Sequence, residues 1–522
     1  MSAGAARGDA RTSSASEELP PPGDALRAAY DALPYHSLPF AQSHPDRLAT
    51  AAKLFGASPA PIDACRVLEI GCASGGNLIP MAATLPHSRF VGVDLSPVQV
   101  AQGISDIAAL RLPNIELVQA DLRTFEGDDE HFDYIIAHGV LSWVPPEVQE
   151  RVFEVCTRML APQGVAYISY NTLPGWQTRG AVRDAMRYHV RRFRDPATQV
   201  LQARALLDFL AESLQADQSA YATALRDEAA RLRQQPDFYI FHDHLEAVNQ
   251  PFYFHEFMER ATRHGLRYLG EAEIKAMLTH DLAPNASAML ARLAPDLLQR
   301  EQFLDFLRNQ TFRQTLLVRQ DVALHRSLSP DRLFGMHVAT RATAHPSTDA
   351  AGKQGVEFRS AEGSALHTRR ALTQAAMGVL IECSPEAIEF DVLCATAGKR
   401  IGIPEVPADE RVALASDLLQ AFAVGVVELR AIASPFTVEI GERPLGSAVA
   451  RLQCQRGVQV ANLRHEWVTL DDDQRRVLAL LDGDRSQERV AAAAWSDSSA
   501  GPTKARVGAT LTALARQALI AR

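Results

Sequence analysis

The chain of 522 residues predicts an α/β fold built on a Rossmann-like sheet, and three observations carry that prediction. Residues 66–96, RVLEIGCASGGNLIPMAATLPHSRFVGVDLS, run in the order strand, Gly turn, helix, strand and terminal acid. That is the order of a nucleotide-binding βαβ unit. Short apolar runs then alternate with helical periodicity as far as residue 170. The acids and other polar candidates follow the strands, and open α/β sheets place their ligands at the carboxyl ends of strands.

In chain order, residues 1–22 are small and polar and end in three prolines, which predicts a disordered tail. Residues 24–56 carry Tyr30, Pro34, Tyr35, Pro39 and Phe40, and Pro45 opens a helix over 46–55. Tyr35 and Phe40 either lie over a bound cofactor or cover one sheet face. Val67, Leu68 and Ile70 make the first strand, and Phe90 to Val93 the second, ending on Asp94. Ser96 caps a helix over 97–110 with Pro97 in its first turn. Residues 115–118 are a third strand leading to Asp121 and Leu122, and 132–136 a fourth, ending at His138 and Gly139. A helix over 146–160 and a fifth strand, Gly164 to Tyr170, complete the regular part.

The turn itself selects the ligand. It reads Glu69-x-Gly71-x-x-x-Gly75, with Ala73 where a dinucleotide fingerprint wants its middle Gly. Glu69 would repel a pyrophosphate, but it suits a cationic ligand with an amino group and a sulfonium. Asp94 can accept two hydrogen bonds from a ribose diol. Together they point to S-adenosylmethionine rather than a nicotinamide dinucleotide.

Beyond residue 177 the alternation breaks. Residues 178–262 read as helices, and 266–269 and 315–318 are the candidates for two missing strands. The helices would then form an insertion over the ligand rim. Arg179, Arg183, Arg187 and Arg191 stack on one stripe of its first helix. They make either a basic lip for an acidic group or a solvated face paired with neighbouring acids. From 322 the composition changes. Short β-like runs (356–358, 365–367) precede helices at 371–381, 385–395 and 409–430, with 343–355 a loop. Residues 471–522 give three helical stretches, and the ends 419–430 and 511–522 share a rough pattern. We expect winged-helix-like modules there. The predicted organisation is a tail (1–22), a core with its cover segment (23–177), a helical insertion (178–262), the last core strands (263–322), a mixed α+β domain (323–450) and a C-terminal helical domain (451–522).

Composition excludes several classes. The net charge of −9 and the lack of a basic recognition stripe argue against a nucleic-acid partner. No apolar run of 18 residues exists, so no membrane span is expected, and the N-terminus lacks the apolar core of a signal peptide. The six cysteines are scattered, which reads as free thiols in a reducing, cytoplasmic setting.

Four blocks, LEIGCASGGNLIPMA (68–82), AHGVLSWVPPEV (137–148), SYNTLPGW (169–176) and FHDHLEAVNQPFYFHEFMERATRHGLRYLGEAE (241–273), resemble one group. It is the bacterial class I S-adenosylmethionine-dependent methyltransferases with a methyltransferase regulatory domain, which includes rickettsial-type protein lysine methyltransferases. The resemblance runs from about residue 28 to 335 and implies a regulatory domain over the mouth of the core. It implies cofactor binding by Glu69, Gly71, Ser74, Gly75, Asn77, Asp94, Leu95, Ser96, Asp121, Leu122, His138 and Gly139. The C-terminal domains would help engage a protein substrate.

Methyl transfer is an in-line displacement, so the protein must above all align the acceptor. His138, Trp143, Tyr170 and Asn171 are the candidate acceptor funnel. Each has a structural alternative: a rim histidine, packing tryptophans (with Trp176), or a loop-fixing Asn. His242, His244, Glu246, His255 and Glu256 read as a regulatory interface near the mouth rather than a metal set, because i and i+2 diverge on a helix. Three functions stay open: a protein lysine N-methyltransferase, a methyltransferase of a small molecule or cell-surface metabolite, and a non-catalytic scaffold. The C-terminal third fits contact with a protein substrate or with a second copy of the chain.

Overall fold

In a computed structural model of the chain, the described residues are 37–127, 130–279, 282–348, 352–495 and 504–522. The predicted tail, and Tyr35 with it, lie outside them. A seven-stranded sheet dominates, in the order β3-β2-β1-β4-β5-β7-β6. Its strands are β1 (Arg66–Ile70), β2 (Arg89–Asp94), β3 (Ile115–Gln119), β4 (Phe132–Ala137), β5 (Leu160–Asn171), β6 (Leu266–Glu271) and β7 (Phe312–Arg319). The first five are parallel, and β7 runs antiparallel between β5 and β6. Their central positions are buried on both faces, as expected of a sheet covered on each side by helices. Both candidates for the missing strands are in it. Two helices the sequence reading did not resolve, Pro284–Leu293 and Leu297–Arg308, connect β6 to β7.

The inserted helices are Gly175–Val190, Pro196–Ser213 and Ala220–Arg233, closed by a π-helical turn at Ile240–Leu245. They have their own apolar core of Val182, Met186, Leu207, Leu225, Ala229, Leu232 and Ile240. The chain returns extended, and its path is pinned at the base of this cap. Leu173 donates to the Phe252 carbonyl (2.9 Å), Phe252 to that of Asn171 (2.9 Å) and Thr172 to that of Thr311 (3.0 Å). Gly175 starts the cap where a Cβ would lie 2.4 Å from the Gln310 carbonyl oxygen, so no larger residue fits between the two backbones.

The C-terminal third corrects several expectations. Residues 343–348 form β9 (Thr343–Thr348), a hairpin with β10 (Gln354–Arg359), where a loop was expected. The helix expected at 385–395 begins at Phe390, where Glu389 caps it by accepting from the Val392 N–H (3.0 Å). The helix expected over 409–430 ends at Ala423. Gly425 takes a positive φ of 79° and Val427–Arg430 becomes a strand beside β8 (His337–Thr340). The last module has helices Ala448–Gln453, Asp472–Leu478, Gln487–Ala494 and Lys504–Arg516 and a hairpin of Gln459–Ala461 with Trp467–Thr469. The polar 496–503 segment lies outside the described residues. The shared pattern of segments 419–430 and 511–522 has a structural counterpart. Each helix is followed by a left-handed residue (Gly425, Ala518) and then by β pairing.

All six cysteines are free thiols. Among the described residues no helix is long and apolar enough to cross a membrane.

Candidate functional site

The carboxyl ends of β1, β2, β4 and β5 open into a cavity of about 480 Å³, roofed by the cap. Its floor is the turn after β1. Gly71 has φ +71°, and a Cβ there would meet Val140 Cγ2 at 2.5 Å. Ala73 also takes the left-handed region (φ 50°), where its N–H donates to Asp94 Oδ2 at 2.8 Å. Asp94 Oδ1 accepts from the Ser96 N–H (2.9 Å), so this acid orders both loops it faces.

Glu69 is buried at the end of β1. Its Oε1 accepts from Asn77 Nδ2 at 2.7 Å, while its Oε2 is buried without a partner among the described residues. Burial pushes the Glu69 carboxyl up to about 8; the Asn77 hydrogen bond opposes this and the charge of Asp94 adds to it. A buried acceptor oxygen without a donor is a site for a cationic ligand group. The ammonium of a methionine moiety meets that need, with Asp94 one strand away for a ribose.

Glu69, Gly71, Asn77, Asp94, Leu95, Ser96, Asp121, Leu122, His138 and Gly139 all line the cavity. Ser74 and Gly75 do not. The loop turns them towards the helix at 97–110 and β3, where Gly75 packs near Ile79 and Leu117. Asp121 reaches the rim, but both its oxygens accept from Arg123.

The candidate funnel also divides. Trp143 and Asn171 line the cavity; Tyr170 lies outside it. Tyr170 points to the other face of β5, its hydroxyl 3.1 Å from Thr315 Oγ1 and its ring stacked on Phe257 at 4.1 Å. Alternation along the strand sends neighbours 170 and 171 to opposite sides. His138 sits between the Phe40 ring (3.7 Å) and the Tyr167 hydroxyl, 2.8 Å from its Nδ1. Burial lowers its pKa to about 3, which leaves it neutral and a poor proton acceptor near neutral pH.

The arginine stripe splits by depth. Arg179 lines the cavity and pairs with Glu228 at 3.6 Å; buried Arg183 donates to the Glu246 carbonyl; Arg191 lies over Tyr188. The histidine cluster splits as well. His242 faces the cavity, His244 stacks with Trp176 (6.0 Å), and His255 bonds Gln302 (2.9 Å).

Asp243, Tyr239 and Phe312 complete the wall and escaped sequence reasoning. The one signal for Asp243 was an acid between two histidines in FHDHLE. Burial pushes Asp243 up to about 7, with Arg231 and Arg179 pulling it back.

Comparison with known proteins agrees with this geometry. Residues 67–164 match the family description "Methyltransferase domain", 236–319 "Predicted methyltransferase regulatory domain" and 442–519 "PKMT, C-terminal winged helix domain". Two proteins of Rickettsia prowazekii are similar in sequence. RP789 is 43% identical over 302 residues, 58% of this chain and 54% of its own length. RP028 is 37% identical over 243 residues, 47% of this chain and 97% of its own length. The match therefore spans about half of the first relative and nearly all of the second. The solved structure of PKMT2 from Rickettsia typhi superposes with a TM-score of 0.82 at 27% identity, covering 93% of this chain and all of that one. The same protein has been solved in complex with AdoHcy, again with a TM-score of 0.82 and at 28% identity. The fold and cavity define a class I methyltransferase that uses S-adenosylmethionine. The chain belongs to the branch of that family that carries the methyltransferase regulatory domain and a C-terminal winged helix.

Proposed function

We propose that the chain transfers a methyl group from S-adenosylmethionine to the side-chain amine of a lysine in a protein substrate, in the cytoplasm. Asp243 is the observation that carries this reading. It stands in the cavity wall with Trp143, Trp176 and Tyr239; among the described residues its side chain makes no hydrogen bond, and Arg231 and Arg179 act on it electrostatically. An acid in an aromatic wall suits a cation: the carboxylate attracts it, and the ring faces hold it with their quadrupoles.

The cofactor, when bound, supplies an electrophilic methyl on a sulfonium. The protein then has to deliver a neutral amine, whose ordinary pKa is about 10.4. The roofed cavity lowers that value by desolvation, and Asp243, held near 7, is poised to take the ammonium proton. Asn171 donates one N–H to Asn249 (3.0 Å), and its carbonyl oxygen can accept from the substrate amine. Phe40 and Phe312 exclude water on either side of His138. The PKMT names of the winged-helix family and of the solved relative support a protein substrate, as does the resemblance of the sequence blocks to protein lysine methyltransferases.

The test uses methyl-labelled S-adenosylmethionine, the purified full chain and bacterial lysate, with labelled sites mapped by mass spectrometry. Label on protein lysines is expected. Asp243→Asn should lower its incorporation at least ten-fold while AdoHcy affinity stays within about two-fold. Label only on small molecules would replace the lysine reading with the metabolite one, and undiminished labelling by Asp243→Asn would remove that residue's role.

A further inference from the structure

A residue of the C-terminal module reaches the cofactor loop. Within the winged-helix match, the hairpin Gln459–Ala461 and Trp467–Thr469 precedes the last three helices, and its tip, residues 462–466, is folded into the core. Asn462 Oδ1 accepts from the N–H groups of Arg464 and Glu466, both at 2.9 Å, which holds His465 in the left-handed region at φ +64°. From there the buried His465 places Nε2 at 2.7 Å from Oδ1 of Asn77, a residue 388 positions earlier in the chain.

The hydrogen bonds around Asn77 are determinate. The Phe40 backbone N–H can only donate, and it lies 2.9 Å from Asn77 Oδ1. That oxygen is therefore the acceptor, and His465 must carry its proton on Nε2. The Asn77 NH2 then donates to Glu69 Oε1 (2.7 Å) and to Ser43 Oγ (3.0 Å), whose own proton goes to the Phe40 carbonyl (2.8 Å). All four positions of the amide are used, two donated and two accepted. Burial, with His44 and Arg430 nearby, lowers His465 well below the usual histidine pKa, so it stays neutral and keeps this single-donor form.

We propose that the tip of this hairpin is part of the cofactor site, with His465 a positioning residue that acts through Asn77. By holding the Asn77 amide, His465 keeps one Glu69 oxygen occupied and directs the other at the cofactor's ammonium. The same amide fixes Phe40, whose ring covers His138. Cofactor affinity is thereby coupled to docking of this hairpin, and by reciprocity a bound cofactor tightens that docking. Among the described residues, no other interaction given for the C-terminal module reaches Asn77. Its Arg456–Asp106 pair, 2.6 Å, joins the surface of the 97–110 helix away from the loop.

AdoHcy titration calorimetry on the full chain tests this, with His465→Leu, His465→Gln and Arg456→Ala. Leu removes the donor, Gln retains an N–H at similar reach, and Arg456→Ala perturbs the same interface elsewhere. His465→Leu should weaken AdoHcy binding ten-fold or more, with His465→Gln and Arg456→Ala within three-fold of the parent. Parent-like affinity in a folded His465→Leu protein overturns the proposal, and so does equal loss in the Leu and Gln variants. Nitrogen NMR of histidine-labelled parent protein gives a readout independent of variant folding, with the His465 signal assigned from the Gln variant. A neutral Nε2–H tautomer whose Nε2 resonance moves on AdoHcy saturation supports the proposal; an Nδ1–H tautomer, or no movement, overturns it.

Discussion

At the scale of single residues, Glu69 divides its two oxygens between protein and ligand. Oε1 takes the Asn77 donor, and Oε2 is buried without one among the described residues. With the carboxyl raised to about 8, the unliganded protein holds a proton on Glu69 at pH 6 to 7, and a bound ammonium requires that proton to leave. AdoHcy affinity should therefore rise towards ten-fold per pH unit between about pH 6 and 8 and level off above. At pH 7 each binding event should release close to one proton, read from the buffer dependence of the calorimetric heat. Glu69→Gln should flatten the profile and weaken binding at pH 8 by about 1.5–3 kcal/mol, the range for a hydrogen bond to a charged group. A flat profile in the parent protein would show that Glu69 does not face the ammonium. Glu69 and Asp94 were legible because both close a strand of one local βαβ unit. Tyr170 was misplaced because the face a strand residue takes depends on register against its neighbours, set here by pairing of Tyr170 with Arg313, 143 residues later. Asp243 was missed because its wall neighbours come from the segment after β4 and from the cap, and a single acid has no periodic signal.

At the scale of elements, strand and helix identities were readable from apolar period as far as β5, and their order predicted the parallel half of the sheet. What holds the antiparallel half is a buried charge cluster. Arg313 on β7 meets Glu271 on β6 (2.6 Å) and Glu301 and Asp305 on the helix Leu297–Arg308 (3.2 and 2.9 Å), with its guanidinium over the Phe254 ring at 4.1 Å. The three acids and the one cation are all nearly inaccessible. Arg313→Met leaves the carboxylates without their counter-charge and should cost about 3–5 kcal/mol in denaturant unfolding, the range for breaking a buried pair from one side. A loss below about 1 kcal/mol would mean the acids are already protonated and need no cation. The errors at 385–395 and 409–430 have local causes. The first helix waits for Glu389, whose carboxylate supplies its cap, and an unbroken apolar run hid the helix end at Ala423, which Gly425 marks by its positive φ.

At the scale of the whole molecule, the N-terminal segment, the core and the C-terminal third close on one seam. Asp46, fully buried at the start of the helix Pro45–Leu54, accepts from Arg430 (3.0 Å) and from the N–H groups of Ala431 (2.6 Å) and Ile432 (3.3 Å). Glu428 draws in Arg47 and Arg464, both at 2.7 Å, and these cations hold its carboxyl well below the usual range against the opposing effect of burial. Asp46→Ala strands Arg430 in a dry interface and should cost about 3–5 kcal/mol. It should also divide calorimetric unfolding into two transitions, one for the core and one for the C-terminal third. A single transition at the parent temperature would show that the seam does not couple them. The sequence by itself determined the cofactor class and the succession of strands along the core, because a Gly turn between two strands and an acid at each strand end are local features with a fixed physical meaning. Only the tertiary structure decided that Phe40, Asp243 and Phe312 wall the cavity above that turn and that His465 reaches Asn77 beside it. They are brought there by burial of separate apolar faces, and no spacing along the chain records contacts between residues hundreds of positions apart.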